Sequence, residues 1–150
     1  MSYLSTPELL LPQIRAAAHI IKQQCEAAYV VGGWVRDAIL GRQSQDLDVV
    51  IVGDAFELGG LLVKGIGGTL IVLRDTPTIV RVVVKGLIGS STIDITSLES
   101  SLVEDLSHRD FTIDAMALPL ECLDSHWALD DVIDPFAGLH DLKNRIVRAT

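Results

Sequence analysis

Two neighbouring stretches set the fold: Val30-Val31-Gly32-Gly33-Trp34-Val35-Arg36-Asp37 and Asp46-Leu47-Asp48-Val49-Val50-Ile51-Val52. In the first, the β-rich run Ala28-Tyr29-Val30-Val31 stops at a double glycine. A brief helix then fits Trp34 to Leu40, closed by Gly41 just past its end. The second reads as a strand from Asp46 to Val52, with Leu47 and Val49 facing a core and both aspartates on the opposite face. A strand, a glycine turn, a helix and a second strand in so short a span predict an α/β domain.

Upstream, Ser5-Thr6-Pro7-Glu8 has the pattern of a capping box. Apolar residues then recur at Ile14, Ala17, Ala18, Ile21 and Cys25 with helical spacing, and Pro12 marks a break or second start. Downstream, Asp54 with Glu57 opens a helix over Leu58 to Lys64, weakened by Gly59 and Gly60. Strands follow at Thr69–Leu73 and Thr78–Val84 around an Asp75-Thr76-Pro77 turn, then a mobile loop over 85–91 and a strand at Thr92–Thr96. A short acidic helix fits Glu99–Leu106 and a further helix Asp110–Ala117, with Met116–Glu121 turning extended. Trp127 with Asp130-Asp131 suggests a hairpin end, and Asp134-Pro135 and Gly138 mark turns. The expected architecture is α/β (α+β): a mixed sheet of five strands flanked by helices, in one domain over residues 1–150.

Composition limits what such a domain can do. Apolar residues make up 49% of the 150 and aromatics 5%, so the core is built from aliphatic side chains. Twelve basic against twenty acidic residues give a net charge of −8. Disordered chains combine high charge with low hydrophobicity, and this chain does not. A stand-alone nucleic-acid binder needs a basic face, which this balance argues against; clustered carboxylates that hold divalent cations remain open. No apolar run approaches the roughly 18 residues of a membrane span. The N-terminal stretch lacks the basic start and small-residue cleavage site of a signal peptide. Cys25 and Cys122 lie outside any CxxC spacing and read as reduced thiols of a cytoplasmic protein.

Four places could carry chemistry. The Gly32-Gly33 turn exposes backbone N–H groups at a positive helix end, and Arg36 can swing to the same side to clamp anionic oxygens. A plain strand–turn–helix corner with solvated Arg36 and Asp37 has the same sequence. Asp46 and Asp48 repel each other unless solvated or sharing a cation, and carboxylates suit magnesium; a surface face bearing two aspartates is the plainer alternative. Asp94, between β-branched neighbours, could add a third carboxylate or lie at an exposed edge. In His108-Arg109-Asp110-Phe111-Thr112-Ile113-Asp114-Ala115-Met116-Ala117, Arg109 can pair with phosphate and Asp110 can accept from ribose hydroxyls. Phe111 and Met116 read as core. His19, His126 and His140 show no ligand spacing.

The order of these signals is more specific than any one. The Gly-Gly-x-Val-Arg-Asp loop, the Asp-Leu-Asp strand, the later strand aspartate and the Arg-Asp-Phe-Thr-Ile-x-Ala-Met-Ala segment resemble the head domain of class II tRNA nucleotidyltransferases and bacterial poly(A) polymerases. These belong to the DNA polymerase β-like nucleotidyltransferase superfamily. The stretch Ile133–Leu142 resembles the segment that closes that head, so the likeness covers Ala28 to Thr150. It implies an enzyme that moves a nucleoside monophosphate from ATP or CTP to an RNA 3′ hydroxyl, with tRNA preferred over poly(A). By analogy Gly32, Gly33 and Arg36 would hold the triphosphate, Asp46 and Asp48 would bind Mg2+, and Arg109 and Asp110 would contact the nucleotide. Asp46, Asp48 and Asp94 would be the catalytic carboxylates.

Two departures from the family pattern stand out. His108 replaces a second arginine, and Asp114 replaces an asparagine. The helical neck, body and tail that follow the head in the family, and that select the base and hold tRNA, have no counterpart here. The expectation is therefore an isolated or truncated head. The alternatives are a non-catalytic nucleotide-binding fragment and a superfamily transferase acting on a non-RNA hydroxyl, which the Arg109–Ala117 segment argues against.

Overall fold

A computed structural model describes residues 3–5, 10–87 and 89–150. In chain order these form β1 (Tyr3–Ser5), α1 (Pro12–Gln24), β2 (Ala28–Val31), α2 (Gly33–Ile39), β3 (Asp46–Ile51), α3 (Ala55–Ile66), β4 (Thr69–Asp75) and β5 (Thr78–Gly86). Then come β6 (Gly89–Ser97), α4 (Leu102–Ser107), β7 (Ala117–Pro119), β8 (His126–Ala128) and α5 (Gly138–Lys143). Six strands make one mixed sheet in the order β4-β5-β6-β3-β2-β7, and β1 pairs with β8 in a separate ribbon. Only β3 and β6 run parallel; every other neighbour in the large sheet is antiparallel. The sheet is mixed as expected but has six strands, because the three-residue β7 adds to its β2 edge.

Alternation along the strands separates two faces. Val30, Leu47, Val49, Ile51, Val80, Val82, Val84, Ile93 and Ile95 point to one side and form the main core with the buried face of α1 and α3. That face of α1 is Ile14, Ala17, Ala18 and Ile21, and Pro12 sits in its first turn, so α1 begins at the second start. Ser5 lies in β1, and Thr6 to Glu8 of the expected capping box fall outside the described residues. On α3, the Asp54 carboxylate accepts from the N–H groups of Phe56 and Glu57 at 2.9 and 3.2 Å, which fixes the helix start. Gly59 is what lets α3 lie close to the sheet: a Cβ there would stand 2.7 Å from Leu70 Cδ1.

Three local expectations are corrected. Residues 85–91 are not a loop but the end of a β5–β6 hairpin, paired as far as Gly86 with Gly89; Ile88 lies outside the described residues. Asp110–Ala117 is not a helix; it holds a single 3-10 turn at Thr112–Asp114. Thr112 N–H donates to the Arg148 carbonyl and Phe111 bridges Ala149, so pairing with the end of the chain replaces helical bonding. Trp127 is not at a hairpin end either, since β8 pairs with the distant β1 and a 3-10 turn at Leu129–Asp131 follows.

Candidate active site

The second face of the sheet carries the polar residues. Its small apolar patch, Val31, Val50 and Ala117, seats Leu106 of α4 and Ala115 of the segment after it. Beside the patch, β3 presents Asp46 and Asp48, and parallel pairing sets Asp94 of β6 directly across from Asp48. Antiparallel pairing likewise sets Arg81 of β5 across from Asp94. All three carboxylates expected from the sequence therefore share one face and one neighbourhood.

Each carboxylate has its own partner. Arg109 Nη1 donates to Asp48 Oδ2 at 2.6 Å, and its Nη2 to Asp105 Oδ2 at 3.2 Å. Arg81 takes both oxygens of Asp94, at 2.8 and 2.9 Å. The Thr92 hydroxyl donates to Asp46 Oδ1 at 2.6 Å. Burial pushes the Asp48 carboxyl up, and the Arg109 guanidinium opposes that shift without cancelling it. The Asp48 side chain is 35% exposed, so the crowding comes from its depth in an open cleft and not from a sealed interior. A cavity of about 710 Å³ opens here, with Asp48, Asp94, Arg109, Arg74, His108 and Glu104 in its wall.

The glycine turn closes the other side of the site. Gly32 has φ +74° and ψ −141°, a conformation that only glycine adopts without strain. A Cβ there would stand 3.4 Å from Arg109 Nη1 and 3.6 Å from Asp48 Oδ2, which places the turn against the carboxylate site. Arg36 folds back under the turn, with Nη2 3.2 Å from the Cβ position of Gly33. Its Nε donates to Asp37 at 3.0 Å and its Nη1 to Asp114 at 2.6 Å.

The structure thus gathers Gly32, Gly33, Arg36, Asp46, Asp48, Asp94 and Arg109. Asp110 is different: its side chain is exposed, and its carbonyl accepts from the Thr150 N–H. Phe111, expected in the core, is 40% exposed, whereas Met116 is buried as expected. Sequence reading missed Arg81, Thr92 and Asp105. Arg81 and Thr92 follow from strand alternation once the register of β5, β6 and β3 is known, and Asp105 from its spacing of four residues before Arg109.

Comparison with known proteins shows the family and the fold. The family model described as the poly(A) polymerase head domain matches residues 28–148. The chain belongs to that family. A CC-adding tRNA nucleotidyltransferase of Geobacter sulfurreducens is 35% identical over 150 residues, covering 99% of this chain and 32% of that protein. The Thermotoga maritima CCA-adding enzyme, solved in complex with tRNA, superposes with a TM-score of 0.76 at 32% identity, over 99% of this chain and 37% of that one. A CCA-adding enzyme solved with CTP gives 0.75 at 30% identity, over 96% and 35%. The chain spans about a third or less of the length of the curated relatives it matches. Among the described residues, no helix is long and apolar enough to cross a membrane.

Carboxylate oxygens are the donors that magnesium prefers. Among the described residues, no group of three or more His, Cys, Asp and Glu is placed to hold a metal. What the face of β3 offers a cation is the two carboxylates of Asp46 and Asp48, and magnesium is usually held by one or two carboxylates with water and phosphate oxygens completing its shell.

Proposed function

We propose that this chain is the catalytic head of a nucleotidyltransferase that extends RNA 3′ ends, most specifically the CCA end of tRNA, in the cytoplasm. The observation that carries the reading is Asp46, Asp48 and Asp94 on one sheet face against the Gly32-Gly33 turn and Arg109. The substrates are ATP and CTP, and residues 1–150 form the head domain. Helical neck, body and tail regions of the family, outside these residues, would choose the base and hold the RNA.

The residues divide the work. The Gly32 N–H is taken by the Met116 carbonyl at 3.2 Å, so Gly32 gives the triphosphate room to approach and Gly33 offers its backbone N–H, while Arg36 and Arg109 supply positive charge beside it. Asp46 and Asp48 would hold Mg2+, which lowers the charge developing at the α-phosphate and the leaving pyrophosphate. Asp94 contributes the third catalytic carboxylate, acting as a metal ligand only if Arg81 lets it go. Asp110, exposed and next to Arg109 in the chain, would be the residue offered to the ribose. The RNA 3′ oxygen attacks the α-phosphorus in line, and the bond to the pyrophosphate oxygen breaks.

Calorimetric titration with ATP and with CTP, each with and without Mg2+, tests this reading. Mg2+-dependent binding of both with similar affinity, abolished by Asp46→Asn, is the expected result. Binding of neither, or binding that Asp46→Asn leaves unchanged, overturns it. Extension of a tRNA 3′ end by the chain joined to its helical regions separates catalysis from nucleotide binding alone, and a long run of A, as opposed to one terminal A, points to poly(A) synthesis.

A further inference from the structure

Arg109 touches both halves of the site at once. Its Nη1 is held by Asp48, a carboxylate that the proposed function gives to the metal, and lies over the Gly32 turn, which that reading gives to the triphosphate. Arg109 is only 22% exposed, and Asp105 of α4 holds its Nη2. The guanidinium can therefore leave Asp48 without leaving the site, because the second anchor keeps it within reach.

A divalent cation and a guanidinium on one carboxylate repel each other, and in a half-enclosed cleft that repulsion is poorly screened. We propose that Arg109 is a latch: in the nucleotide-free chain it occupies Asp48, and it turns to the phosphates over Gly32 when a divalent cation takes the carboxylate. The inference rests on the metal assignment of Asp48. Three consequences follow from the exchange. In the resting site Asp48 is paired instead of standing bare beside its neighbouring aspartates. Metal binds weakly by itself, since it must displace Arg109. Metal and triphosphate strengthen one another reciprocally, because each favours the same position of Arg109.

The test is Mg2+ alone, without nucleotide, titrated into the full chain by calorimetry. Arg109→Met removes the latch and should tighten Mg2+ by about tenfold. Arg109→Lys, which keeps a cation on Asp48 and protects against loss of the fold, should stay within about threefold of wild type. Asp48→Asn should abolish the binding. In wild type, the ¹⁵N–¹H guanidinium resonance of Arg109 should shift and exchange faster with water as Mg2+ is added. Asp48-dependent Mg2+ binding with an unmoved Arg109 resonance and no gain in Arg109→Met overturns the latch and leaves the metal assignment standing. Mg2+ binding that survives Asp48→Asn overturns both, as does its absence from wild type and Arg109→Met alike.

Discussion

Arg36 shows how one residue type alters the site. Its guanidinium is shared between Asp37 and Asp114. A carboxylate competes with phosphate for a guanidinium more strongly than an amide does. Asp114→Asn is therefore expected to tighten ATP by about fivefold, the worth of one charge-assisted hydrogen bond over a neutral one. Arg36→Ala should weaken ATP far more than adenosine, and calorimetry with the two ligands checks both variants; equal losses would remove Arg36 from the phosphate site. Gly32→Ala must hold a backbone conformation foreign to alanine, at a cost of about 1–3 kcal/mol. Urea unfolding measures that cost. The Gly-Gly turn and the Asp-Leu-Asp pair were legible because each is a local signal, a backbone need in one case and a period of two in the other.

Among the elements, α3 sets two neighbouring glycines against each other. At Gly60 an added Cβ meets nothing within 4 Å, so Gly60→Ala is expected to stabilise by about 0.5–1 kcal/mol through helix propensity alone. At Gly59 the same gain is outweighed, since the Cβ would stand 2.7 Å from Leu70 Cδ1 and 3.0 Å from Val80 Cγ2. Overpacking of that kind costs about 1–3 kcal/mol, so Gly59→Ala should be net destabilising in thermal melts. Opposite signs at adjacent positions test how α3 sits on β4 and β5. Most helix and strand positions were readable from periodicity and caps. The 110–117 segment was not, because its apolar spacing suits a helix while its backbone bonds go to Arg148, Ala149 and Thr150. The β5–β6 hairpin was hidden by Gly86 and Gly89, which read as loop until the two long strands are seen to pair.

For the whole molecule, Asp141 is the tie that sequence reading passed over. Its side chain is 2% exposed and joins α5 to Thr112 at 2.6 Å and to Arg148 at 3.0 and 3.3 Å. Hydrogen bonds from Arg148, Thr112 and His140 hold its pKa at about 2, below the ordinary 3.8. The folded chain therefore binds that proton more weakly than the unfolded chain does. The stability Asp141 adds is complete above the ordinary value and is lost as pH falls from 3.8 towards about 2. Melts of wild type and Asp141→Asn should differ by a constant gap near neutral pH that closes across this acid range. A gap that persists at pH 2 would mean that Asp141 acts through packing instead of charge.

The sequence by itself determined the α/β class, the glycine turn, the carboxylate pair on one strand face and the family, because each depends on residues near one another along the chain. Tertiary structure alone decided the partners. Asp94 comes opposite Asp48 through the parallel β3–β6 register, Arg81 comes to Asp94 through the β5–β6 register, and Arg109 reaches Asp48 across 61 residues. Which charge answers which depends on strand order and register. Those are settled by burying the aliphatic face of the whole sheet against α1 and α3, and no local run of sequence encodes that.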